Sequence, residues 1–265
     1  MPLRRRLLLA SVALALGACG KPSMLMEPNA QFEPVERPRA SLPQAKSDPA
    51  RAAETQIALA QGYLQRGDYE VAVKRLERAL ELDPKSAGAH TVLGIVYERI
   101  DRPALAGEHY ERATRLSPDE GAVLNNYGAW LCRNGRAPEA DAWFARALAD
   151  PFYKSRAGAL ENAGTCALQA GNLAGAEQYF RKSLELRPND PGALAQLAAL
   201  SYRAGDHLSA RAFLQRREAA GPLDAPTLDL GSRIEQALGD TQAASRYRER
   251  LRDEFPDYTA TASGG

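Results

Sequence analysis

Six alanines recur at one place in a period of about 34 residues, and this register constrains the fold more than any other feature. They are Ala72, Ala106, Ala140, Ala176, Ala210 and Ala244, each the twentieth residue of a unit. At the eighth place stand Ala60, Gly94, Gly128, Gly164, Ala198 and Ser232, all small. Pro84, Pro118, Pro188, Pro222 and Pro256 close five units on one register, and Pro151 closes the third one place early. Turns fall mid-unit at Gly67-Asp68, Gly135-Arg136, Gly171-Asn172, Gly205-Asp206 and Gly239-Asp240; Asp101-Arg102 alone lacks the glycine. A turn glycine accepts the left-handed conformation that ends a helix, and a following Asp or Asn can cap the next one. Small residues at the eighth and twentieth places let two helices approach closely, where a larger side chain would overpack the contact. The closing proline cannot continue a helix and resets the chain for the next unit.

The pattern runs from Ala53 to Tyr258, with units starting at 53, 87, 121, 157, 191 and 225. Tyr63, Tyr97, Leu76, Tyr110, Phe144 and Phe180 are placed to fill the space between helices. It resembles the tetratricopeptide repeat, which implies an all-α superhelix of about six helix-turn-helix units. The sixth unit carries Gly231 and Arg248 where bulky apolar residues are usual, which suits the terminal cap a solenoid requires. The third unit is about two residues longer than the period, around Asp150-Pro151-Phe152-Tyr153. The expectation there is a bend with a buried aromatic joint rather than a binding loop.

The N-terminus reads as an address. Arg4-Arg5-Arg6 forms a positive region and Leu7 to Leu16 a short apolar one, too short to span a bilayer as a mature helix. The stretch ends in Leu16-Gly17-Ala18-Cys19, which resembles a bacterial lipobox. That resemblance implies cleavage after residue 18, lipid (palmitate among its acyl chains) on Cys19, and anchoring to a membrane. Gly20 in place of aspartate implies, by the same resemblance, the periplasmic face of the outer membrane. From 19 to 52 there is no apolar periodicity, and Pro22, Pro28, Pro34, Pro38, Pro43 and Pro49 favour an extended tether of up to about 3.1 Å per residue. Residues 259–265 read as a disordered tail. Without Arg4, Arg5 and Arg6 the 34 basic residues fall below the 33 acidic ones, so no basic excess is left to attract nucleic acid.

With Cys19 consumed by lipid, Cys132 and Cys166 remain, on first helices of successive units in an oxidising compartment. The small neighbours Gly128, Ala129, Ala163 and Gly164 let the backbones approach, which favours a disulfide. The alternative is two buried thiols. Asn126 and Asn162 share the sixth place of adjacent units, with Asn125 beside the first. Their amides can hydrogen-bond an extended peptide or, equally, cap and pack the helices themselves. In the first two units Ile57, Gln61, Leu64, Thr91 and Ile95 are expected on the concave side, suited to a hydrophobic partner segment. His90, His109 and His207 lie in three places with no shared ligand or triad spacing. No phosphate-binding glycine loop, zinc motif or nucleophile elbow occurs. The reading is therefore a binding protein, not an enzyme, with no catalytic residue, metal, cofactor or small-molecule substrate.

Asn125-Asn126-Tyr127-Gly128-Ala129-Trp130-Leu131-Cys132, Asp150-Pro151-Phe152-Tyr153 and Glu161-Asn162-Ala163-Gly164-Thr165-Cys166 together resemble the PilF/PilW type IV pilus biogenesis lipoproteins. The resemblance implies a pilotin, a lipoprotein that helps the type IV pilus secretin reach the outer membrane and form its ring. A scaffold for another envelope machine, such as barrel assembly or cell-wall hydrolases, is the competing reading.

Overall fold

The computed structural model describes residues 48–259, and every regular element in that range is an α-helix. The leader, Cys19, most of the tether and the tail lie outside the described residues. Six helical hairpins follow one another. They are α1 (Pro49–Arg66) with α2 (Tyr69–Leu82), α3 (Ala87–Arg99) with α4 (Pro103–Leu116), and α5 (Gly121–Arg133) with α6 (Ala137–Ala149). Then come α7 (Arg156–Gln169) with α8 (Leu173–Leu186), α9 (Pro191–Arg203) with α10 (His207–Ala219), and α11 (Ala225–Ala237) with α12 (Thr241–Glu254).

The first helix starts earlier than the sequence pattern suggests, at Pro49 rather than at residue 53. Asp48 caps it by accepting the Ala50 amide at 3.1 Å. Proline at the first helical position costs nothing, since that amide has no intrahelical acceptor. Pro49 is thus an initiator and not part of the tether. At the other end Gly67 takes φ 81°, and the Asp68 amide donates to the Tyr63 carbonyl at 2.9 Å. Where the turn glycine is missing, Asp101 adopts the same left-handed region at φ 55°. Asn172, Asp206 and Asp240 cap their following helices as their position after glycine suggests. Asp68 and Arg136 make no such bond.

Packing follows the register. All six alanines of the twentieth place are 0% exposed. A Cβ added to Gly94 would lie 2.7 Å from the Tyr110 ring, and one added to Gly164 would lie 2.8 Å from Phe180. Leu76, Tyr110, Phe144, Phe180 and Leu214 occupy equivalent places on the second helices and are buried. Tyr63 and Tyr97, expected among them, are only half-buried because they sit on first helices at the rim of the hairpins. There Arg66 lies over the Tyr63 ring and His109 stacks on Tyr97. In the last hairpin Arg248 is exposed, Tyr247 covers Gly231, and α12 buries only Ala243 and Ala244.

Between units, α1 touches α3, α3 touches α5, α5 touches α7 and α9 touches α11. Each second helix instead packs on the first helix of the next unit, and among the described residues no second helix packs comparably on another. First helices therefore crowd the inside of the superhelix. The long third unit ends in a turn that differs from the expected aromatic joint. Phe152 is 87% exposed, and only Tyr153 packs inward, against Gly121. The turn is held by Asp150, which accepts the Gly121 amide at 2.9 Å and the Phe152 amide at 2.8 Å. Those two donors hold its carboxyl below the usual carboxylate range.

Two glycines separate close packing from free space. Gly164→Leu is expected to cost roughly 1–3 kcal/mol by overpacking against Phe180. Gly62→Ala, with nothing within 4 Å of the added carbon, is expected to be neutral or stabilising through helix propensity. Urea unfolding of the two variants checks the contrast.

Candidate protein-binding face

The inner face is assembled from the first helices. On α1 and α3, Ile57, Leu64 and Ile95 are half-buried against the hydrophobic clusters, while Gln61 is exposed. Thr91 is buried, and its hydroxyl donates to the Ala87 carbonyl at 2.9 Å, so it offers no free donor to a partner. The start of the face is thus an apolar surface with one free amide side chain.

Further along, polar groups tie first helices together. Asn162 donates from Nδ2 to Asn125 Oδ1 at 3.1 Å, joining α7 to α5. Same-place spacing pairs Asn126 with Asn162, but the structure pairs Asn125 instead and leaves Asn126 half-buried. The packing role is therefore in use. Unspent capacity remains on the Asn125 amide group and on the carbonyl of the exposed Asn162. Beside this pair Cys132 and Cys166 form a disulfide, with Cα atoms 5.7 Å apart and both side chains buried. The close approach is the one the small neighbours allow. Cys19 lies outside the described residues.

A third tie was not visible in the repeat pattern. Glu98 of α3 accepts the Tyr110 hydroxyl at 2.7 Å and a two-pronged bond from Arg133 of α5 at 3.0 and 2.8 Å. Burial and that carboxylate push the Tyr110 phenol well above its ordinary range.

The histidines differ from their reading as three separate residues. His90 and His109 meet, with Nδ1 atoms 2.9 Å apart. They lie on the two helices of one hairpin, His90 eleven residues before Asp101 and His109 seven after Arg102. Hairpin geometry, rather than ligand spacing, was the signal. His207 stands apart at the start of α10 against Tyr202. Among the described residues no group of three or more His, Cys, Asp or Glu side chains is placed to hold a metal ion.

Known proteins resemble this arrangement along most of its length. One model of the tetratricopeptide repeat matches residues 57–121 and 131–191, and a second such model matches 167–234. The type IV pilus assembly protein PilF of Pseudomonas aeruginosa is 37% identical over 209 residues, covering 79% of this chain and 82% of that protein. A solved structure of Pseudomonas aeruginosa PilF aligns with a TM-score of 0.74 at 35% identity, covering 79% of this chain and 95% of that one. The crystal structure of PilW, described as a widely conserved type IV pilus biogenesis factor, aligns at 0.72 and 34% identity over 78% and 94%.

The disulfide closes a loop of sequence separation 34. Chain entropy gives such a closure about 3–4 kcal/mol. Replacing both Cys132 and Cys166 by Ser is expected to lower stability by up to that amount in non-reducing urea titrations. Reduced native protein should then match the variant, and an unchanged midpoint would contradict the role.

Proposed function

We propose a role from one premise: this chain belongs to the tetratricopeptide-repeat family and, within it, to the PilF/PilW-like type IV pilus biogenesis proteins. It is an outer-membrane pilotin that brings the type IV pilus secretin to the outer membrane and promotes its assembly into a ring. The work is done by binding. Lipid on Cys19 is the address, the proline-rich stretch a tether, and the first-helix face the adaptor.

One observation supports this most: the likeness to Pseudomonas aeruginosa PilF extends over 79% of the chain, not over isolated repeats. The physical character of the face agrees with it. Ile57, Leu64 and Ile95 supply apolar area, Gln61 and Asn126 supply amide groups that can both donate and accept, and Asn125 and Asn162 supply the donor and acceptor capacity that their mutual bond leaves over. Such a surface suits a peptide segment with apolar anchors whose backbone hydrogen bonds need partners.

Deletion of the protein is expected to remove secretin multimers from outer-membrane fractions, with monomer persisting elsewhere. Cys19→Ser is expected to leave a folded chain that fails to restore them. Unchanged multimers and piliation in the deletion strain would overturn the proposal in favour of a general envelope scaffold.

A further inference from the structure

His90 on α3 and His109 on α4 face each other across the second hairpin. Their Nδ1 atoms are 2.9 Å apart and their ring centroids 5.2 Å apart. An in-line contact has this centroid separation, since each nitrogen lies about 1.1–1.2 Å from its ring centre. Two neutral imidazoles meet this geometry through one N–H···N bond. One ring then carries its proton on Nδ1 and the other on Nε2. Tyr97 stacks on His109 at 5.3 Å and restrains that ring.

The recess around the pair is lined by Glu108, Glu111, Arg112 and Arg115, all from α4, and by no charged group of α2 or α5. Arg115 is paired with Glu111 at 2.6 Å. Arg112 is then the cation acting on His90, and Glu108 the carboxylate acting on His109.

We infer that the pair is a proton-operated latch, which holds α3 to α4 with no added proton or one and releases them with two. A first proton adds to Nε2 of the donor ring. The resulting imidazolium still donates from Nδ1, now more strongly. A second proton must enter at Nδ1 of the acceptor ring, the lone pair that closes the bond. Two N–H groups would then point at each other between two like charges, and the rings must part.

Burial, His109 and Arg112 together lower His90 to about 4, and burial lowers His109 as well, against the pull of Glu108. Unfolded histidines bind protons near 6.5. The latch's contribution to stability is therefore complete above about 6.5 and is lost as pH falls towards about 4. Release loosens the hairpin that carries Thr91 and Ile95 on the inner face. The inference does not depend on the adaptor role.

The test follows the imidazole resonances of the mature chain by NMR from pH 7.5 to 3.5, with amide exchange recorded over the same range. Two linked steps are expected, the second well below 6.5. Protection in α3 and α4, corrected for intrinsic exchange, should be lost with the second step. His109→Phe keeps a ring on Tyr97 and should abolish that linked loss. Independent titration of both histidines near 6.5, unchanged protection across the second step, or the same acid loss in His109→Phe would each overturn the latch.

Discussion

Every hairpin of this stack depends on two helices coming close enough for an alanine methyl to seal the contact. The six alanines concerned are fully buried, and where the facing helix offers glycine, a ring from the partner occupies the missing Cβ. Tyr110 on Gly94 and Phe180 on Gly164 are the same solution in two units. The contact leaves no room for growth in either direction: a larger residue overpacks it, and a smaller ring leaves a cavity. Because each unit buries its surface only against its neighbours, the exposed last helix can be as polar as α12 is.

Repeats packed only on neighbours could slide or open at each joint. The middle of the chain carries extra ties where the long third unit disturbs the register. The Cys132–Cys166 bond and the Asn162–Asn125 hydrogen bond join α5 to α7, and Asp150 fastens the added turn to the start of α5. Glu98 with Arg133 joins α3 to α5. The inner face from α3 to α7 is thus held in one arrangement, which lowers the ordering cost of binding a partner there. The apolar α1–α3 end and the amide-bearing α5–α7 end offer two kinds of contact on one continuous run of helices.

Much of this was legible from spacing. Alanine, glycine and proline at fixed intervals report backbone approach and chain reversal, which are local and repeat six times. Features set by a single unit were less legible. Pro49 looks the same in an extended tether as at a helix start, and only the Asp48 cap distinguishes them. Phe152 sits in an aromatic pair of which one member turns inward and the other outward, a choice made by the Asp150 turn rather than by hydrophobicity. The asparagine partnership is offset by one place, as is the Glu98–Arg133 pair across the regularly spaced joint before it, so the offset belongs to the way successive first helices cross and not to the repeat spacing. His90 and His109 are 19 apart, a distance that carries no ligand pattern yet joins two sides of a hairpin.

In the proposed adaptor role, this inner face, and not the outer helices, meets the secretin. Photocrosslinking in cells tests it most directly, with a photoreactive residue placed in turn at Gln61 on α1, Asn162 on α7 and Arg248 on α12, all exposed. Secretin adducts from Gln61 or Asn162, and none from Arg248, are the predicted result. Adducts confined to Arg248, or no secretin adduct from any inner position, would contradict the account.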